Sequence, residues 1–251
     1  MSVSIEIAEP GVVVVTIDHP PVNALPVAGW NALSDAIRDA GRDPATHVVV
    51  LRAAGRGFCA GVDIKEIQRD GHEALVGANH GCHAAFGAVY DCQVPVIAAV
   101  QGFCLGGGVG LVGNADVVVA ADDATFGLPE VDRGALGAAT HLSRLVPHHL
   151  MRAMYYTAST VTAAQLHHFG SVYRVVPPDE LTSTALEVAK QIAAKDPRVI
   201  RAAKTAINGI DPQDVHRSYR YEQGFTFELN LTGAADEVRN GGWVRGQADD
   251  R

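Results

Sequence analysis

Residues 103–114, "FCLGGGVGLVGN", hold five glycines between two apolar strand-forming runs, Val96–Val100 and Val117–Ala121. Glycine weakens helices and strands alike, so this density marks a place where something approaches the backbone closely. Gly108, Gly110 and Gly113 match G-x-G-x-x-G. In a dinucleotide-binding unit such glycines open a full crossover helix, with an acidic residue about 20 positions on at the end of the next strand. Here Val117 follows only four residues after Gly113, which leaves room for about two helical turns. Asp132, nineteen residues after Gly113, falls in a Pro/Gly loop. The spacing argues against a dinucleotide site and for an oxyanion hole. N–H groups at the start of a short helix carry partial positive charge, and glycines let a carbonyl oxygen reach them. The second donor must come from elsewhere. The loop "GRGFCAGVD", which follows a buried strand over 48–52, offers the small residues Ala60 and Gly61.

Elsewhere, Val12–Ile17 is a β-branched strand, and 27–40 carries Trp30, Leu33 and Ile37 on one helical face. Asp63 with Glu66 reads as an N-cap with its capping box, and a long helix is expected over 73–90. Strands and helices alternate to about Gly137. The chain is then mostly helical, apart from a strand at 172–176. Helices follow Pro177–Pro178 (181–194) and start at Pro197. The last long helix, 213–231, is apolar on two stripes: Tyr221, Phe225 and Leu229, and Phe227 and Leu231. So wide an apolar surface calls for burial on more than one side, which a subunit contact would provide. No linker, low-complexity tract or strong internal repeat interrupts the pattern. The expected organisation is an α/β core over 1–195 and a helical C-terminal oligomerisation region over 196–251.

Composition narrows the classes. The chain has 251 residues, 47% hydrophobic and 19% charged, as a globular domain does. A net charge of −8 and the lack of a basic stripe exclude a nucleic-acid binder. Cys59, Cys82, Cys92 and Cys104 form no C-x-x-C pair, so reduced thiols in a cytoplasmic protein are expected. No signal peptide and no apolar run of about 20 residues is present, so no membrane partner is expected. The eleven histidines include His80-x-x-His83, His148-His149 and His167-His168, none with a Glu or Cys companion at metal-site spacing; no metal is expected. A G-x-S-x-G nucleophile elbow is absent.

The segments "GRGFCAGVDIKE", "VPVIAAVQGFCLGGGVGL", "ADVVVAADDATFGLPEV" and "FGSVYRVV", in that order, resemble the crotonase (enoyl-CoA hydratase/isomerase) superfamily. The resemblance runs to about Thr232. It implies a spiral of ββα units, a helical C-terminal trimerisation region, and a homotrimer or dimer of trimers. It also implies an acyl-CoA substrate, coenzyme A being part of that substrate and no separate cofactor being needed. The thioester oxygen would sit between the N–H groups of Ala60 and Gly107, and Ala60, Gly61, Val62 and Asp63 would line the CoA thiol arm. The usual closing pattern near the CoA nucleotide is only faintly echoed in "DEVRNGGWVRG", which assigns no contact there.

Hydratases of this family use two glutamates. By motif position the first is Gly110 here, and the second is Glu130 in "GLPEV". Gly110 thus removes half of a hydratase, and its missing side chain leaves space for a ring-containing substrate. Glu130 is the expected general base, with burial raising its pKa toward the working pH. Asp132 is expected to pair with Arg133, Asp63 to act as a cap, and His141 to be structural unless it reaches the site. "GGGVGL", "GLPEVDRGALGAATHLSRLVP" and "YEQGFTFELNL" are most similar to an actinobacterial branch that opens a ring of an intermediate of steroid (cholesterol) degradation. Three readings follow: a C–C bond hydrolase acting on a cyclic β-diketone-type CoA thioester, an enoyl-CoA isomerase or hydratase, and a non-catalytic acyl-CoA binder. Retention of Glu130 tells against the last.

Overall fold

The computed structural model describes residues 2–240. The end of the 196–251 region and most of "DEVRNGGWVRG" lie outside the described residues. With strands numbered in chain order, the main sheet runs β1 (Val3–Glu9), β2 (Val12–Ile17), β4 (Val48–Ala53), β6 (Val96–Val100), β8 (Val117–Ala121), β11 (Arg174–Val176). All pairs are parallel except the β1–β2 hairpin.

Both faces of this sheet are covered, which explains why its central strands read as near-continuous apolar runs. Val12, Val14, Val48, Val50, Ile97 and Ala99 pack with Leu181, Ala185 and Val188 of α7 (Leu181–Ala193). The alternate residues, among them Val13, Val15, Leu51 and Ala98, enter the larger core with Trp30 and Leu33 of α1 (Val27–Arg42).

After β4, β6 and β8 the chain makes a short second strand outside the main sheet. These are β5 (Gly61–Val62), β7 (Phe103–Leu105) and β9 (Thr125–Gly127). β5 pairs with β3 (Ala24–Leu25), and β9 lies between β7 and β10 (Thr160–Thr162). Helices then follow: α2 (Ile64–Tyr90), α3 (Gly107–Val112), and a 3-10 turn (Glu130–Arg133) leading to α4 (Ala139–Leu142). This is the ββα spiral that the motifs implied. The remaining helices are α5 (His148–Thr157), α6 (Ala163–His168), α8 (Pro197–Gly209), α9 (Val215–Leu231) and α10 (Ala234–Asn240). No helix among the described residues is long and apolar enough to cross a membrane. All four cysteines are buried and unbonded.

Two local expectations change. Asp63 caps α2 by accepting from the Lys65 N–H at 2.9 Å. Glu66, however, leaves the capping box and accepts from Val27 N–H at 2.8 Å, clamping the start of α1 to α2. In α9 the inward face carries Tyr219, Gln223, Thr226 and Asn230, whereas Tyr221 and Leu231 are 73% and 81% exposed. The apolar stripes therefore face outward, and α9 docks through a largely polar face. α8 is tied to the sheet by Lys204 Nζ, which donates to both carboxylate oxygens of Asp116 at 2.7 and 2.8 Å.

The glycines of α3 allow close packing of their surroundings. A Cβ on Gly107 would press on the Trp30 ring at 2.7 Å, and one on Gly108 on the Cys59 carbonyl at 2.7 Å. A Cβ on Gly110 would overlap the ring of Phe86. The space expected beside Gly110 is thus filled, and gives no room to a substrate ring. Phe86 is itself 2% exposed and held edge-on by Trp30 and His141, so it has nowhere to retreat. Gly110→Ala is expected to destabilise the fold by about 1–3 kcal/mol, overpacking outweighing the helix propensity gained. Urea denaturation of the purified variant checks this; equal or greater stability would show that Phe86 is not fixed.

Candidate active site

Three segments from successive ββα units converge on one cavity of about 530 Å³: residues 60–63 at β5, Gly106 and Gly107 after β7, and Pro129 and Glu130 after β9. All the expected site residues, Ala60, Gly61, Val62, Asp63, Gly107 and Glu130, line it. Leu75, Ala78 and Cys82 of α2 form one wall, Leu136 and Gly137 another, and Tyr219 and Thr226 of α9 contribute from the C-terminal part. Exposed Lys65, Asp132 and Arg133 belong to the same lining.

Close approach at this junction requires glycine at two positions. Gly106 has φ +55°, and a Cβ there would stand 2.5 Å from Glu130 Oε1. Gly61 has φ +93°, and its Cβ would lie 3.2 Å from the Gly107 nitrogen. Both conformations are costly for any residue with a side chain.

The backbone donors differ. Gly107 N–H, the first of α3, meets no protein acceptor among the described residues, as the first helical N–H groups do when uncapped. Ala60 N–H donates to the Val22 carbonyl at 3.1 Å, so a ligand oxygen would share it.

Glu130 is half-buried as a residue, but its Oε2 is shut off from solvent and has no hydrogen-bond partner. Burial is the main cause that pushes its pKa up to about 8; repulsion from Glu222 adds to this, and Arg133 opposes it. A carboxyl in this state holds its proton at neutral pH and is poised to exchange it just above.

The structure removes one candidate and one expected pairing. His141 lies behind Phe86 and stacks near it and Tyr219, with ring centroids 5.0 and 4.9 Å away, outside the cavity lining. Burial drives its pKa down to about 3, so it stays a neutral core residue. Asp132 and Arg133 form no ion pair among the described residues, since both point their charge toward solvent and neighbours in a 3-10 turn do not face one another. Sequence reasoning also missed Phe86, Tyr155 and Glu222. Glu222 sat within "YEQGFTFELNL", with no local pattern to set it apart from other helical glutamates.

A buried base beside an unpartnered N–H in a mostly apolar cavity suits proton transfer next to a developing oxyanion. Residues 8–231 match the family model described as enoyl-CoA hydratase/isomerase. The chain is 70% identical over 231 residues to the (7aS)-7a-methyl-1,5-dioxo-2,3,5,6,7,7a-hexahydro-1H-indene-carboxyl-CoA hydrolase of Rhodococcus jostii, covering 92% of this chain and 90% of that one. It is 67% identical over 233 residues to the Mycobacterium tuberculosis protein of the same name, covering 92% and 94%. The crystal structure of an enoyl-CoA hydratase/isomerase from Xanthobacter autotrophicus superposes with a TM-score of 0.86 at 26% identity, covering 97% of this chain and 94% of that one. From its first strand to the end of α9, the chain belongs to the enoyl-CoA hydratase/isomerase family.

Proposed function

We propose that this protein hydrolyses a carbon–carbon bond in a ring of a bicyclic, β-diketone-like CoA thioester, with Glu130 as its single general base. The observation that carries this reading is the filling of the Gly110 position by Phe86. It leaves Glu130 as the one carboxyl of the cavity lining, among the described residues, with an oxygen shut off from solvent and unpartnered. The names of the two most similar relatives support the substrate class.

The chemistry follows from the ring named in those relatives. Hydrogens at positions 2, 3, 5, 6, 7 and 7a leave one ring alkene, C3a=C4, between C7a and the C5 carbonyl. C7a is therefore bonded to the C1 carbonyl and conjugated, through the alkene, to a second carbonyl. Glu130 takes a proton from water as the water oxygen adds to C1. The C1–C7a bond then breaks, C1 becomes a carboxyl group, and the electron pair spreads over the alkene and its carbonyl groups. A thioester attached to that conjugated system takes part of the charge, where Gly107 N–H and the shared Ala60 N–H stabilise it. Glu130 returns its proton to carbon. Water supplies every added atom, and one carboxyl suffices.

Ring opening in ¹⁸O-water is expected to place one ¹⁸O in a new carboxylate, detected by mass spectrometry, with at most trace hydration of crotonyl-CoA. Robust crotonyl-CoA hydration without ring opening would overturn the reading.

The base works only when ionised. With its pKa near 8 in the free enzyme, kcat/KM should rise about tenfold per unit as pH climbs toward 8, then level off. Glu130→Gln should lose about 100-fold or more across that range. A flat profile, or an unaffected variant, refutes the base role.

The outward face of α9 supports assembly as a homotrimer or a pair of trimers, since Tyr221, Phe225 and Leu231 are exposed on it. Sedimentation at micromolar concentration should give three or six copies of the chain. A stable monomer would contradict this.

A further inference from the structure

The wall of the cavity opposite β5 is a stretch of irregular backbone, residues 134–138, and such backbone has no ladder to hold it. Its polar groups are instead tied to the preceding turn and to side chains. Ala135 N–H donates to the Glu130 carbonyl at 3.0 Å. Thr226 Oγ1 donates to the Leu136 carbonyl at 2.7 Å and accepts from Leu136 N–H at 3.3 Å. Gly137 N–H donates to Tyr155 Oη at 3.0 Å. At the far end, Glu222 accepts from Ala139 N–H at 2.8 Å, Thr140 N–H at 3.3 Å and Thr140 Oγ1 at 3.2 Å. Tyr155 Oη closes the circuit by donating to Glu222 Oε1 at 3.2 Å. Four donors converge on Glu222, as an ionised carboxylate requires.

We propose that Glu222 is a positioning residue for this reaction, holding the wall formed by residues 134–138 against Glu130 through the cap of α4 and through Tyr155. This rests on the reading of Glu130 as the base. Glu222 does not line the cavity, and acts through what it holds. Without it, two N–H groups and two hydroxyls would have to find other acceptors, and Tyr155, which holds Gly137, would lose the group that orients it.

Its charge also reaches Glu130. Arg133 on the same turn, Cys82 on α2, Tyr155 on α5, and Tyr219 and Glu222 on α9 are the titratable groups that interact with Glu130. Burial keeps Cys82, Tyr155 and Tyr219 neutral, raising each above its ordinary value. Burial likewise raises the pKa of Glu222, while the hydrogen bonds from Ala139, Thr140 and Tyr155 hold it down. The four donors on Glu222 favour its ionised form, in which it opposes ionisation of Glu130, whereas Arg133 favours that ionisation.

The test is the pH profile of kcat/KM for ring opening by the full-length protein. In Glu222→Gln the rising limb should move to lower pH by roughly half a unit or more, because a repelling charge is gone. Its plateau should fall about tenfold as the wall loosens. Tyr155→Phe should lower the plateau and leave the limb in place. A folded Glu222→Gln with an unmoved limb or a parental plateau overturns the proposal. If Glu222→Gln fails to fold, Glu222→Asp decides: it keeps the charge but cannot reach all four donors, so its plateau should fall about tenfold, and a parental plateau overturns the proposal. Glu130→Gln separates the two claims. Full turnover there removes the base and this proposal with it, whereas an inactive Glu130→Gln with an unmoved Glu222→Gln limb removes only this one.

Discussion

The site depends on one close approach, that of the Glu130 carboxyl to the backbone at Gly106. A side chain there would strike Glu130 Oε1, and the carboxyl would lose its sheltered place beside Gly107 N–H. Shelter is what pushes the pKa of Glu130 up to about 8. The same approach sets the geometry of three successive ββα units, because each places the end of its second strand at the cavity. Structure repeats here where sequence does not. The loops after β5, β7 and β9 carry a cap, a glycine run and a Pro-Glu turn, three solutions for leaving a short strand.

Gly110 shows how a missing group is accommodated by packing. Removing a side chain from a close-packed interior leaves a void unless a neighbour moves in. Phe86 fills it, backed by Trp30, His141 and Tyr219 in one aromatic cluster. His141 is the histidine of that cluster, and it stays neutral because nothing there can solvate an imidazolium. The cluster stands next to the cavity, with Tyr219 belonging to both. Its packing closes the Gly110 position to any side chain.

α9 joins the two halves of the molecule. Its inward face is polar because it satisfies irregular backbone: Thr226 and Glu222 hold residues 136–140, and Gln223 donates to the Asn79 carbonyl of α2 at 2.8 Å. Buried polar groups of this kind are stabilising only when partnered, which fixes the register of the helix on the core. Its apolar residues Tyr221, Phe225 and Leu231 are left for the outside. A helix read in sequence as needing apolar cover on two sides therefore packs inward through a polar face and leaves an apolar one exposed.

The sequence alone determined the strand and helix order of the core, because burial on both sheet faces leaves a near-continuous apolar run at each of β2, β4, β6 and β8. Through the resemblance of its ordered motifs to a known family it also pointed to Ala60, Gly107 and Glu130, which line one cavity. Only the tertiary structure decided what stands beside them. Phe86 lies 24 residues before Gly110, and Glu222 lies 92 after Glu130, so no local spacing joins either pair. The short strands β3, β5, β7, β9 and β10 have two or three residues each, too few to establish a period. The capping box at Asp63 failed for a related reason: Glu66 met a better donor, Val27 N–H, brought to it from another helix. Local patterns report what a residue is able to do, and the fold determines which partner it meets.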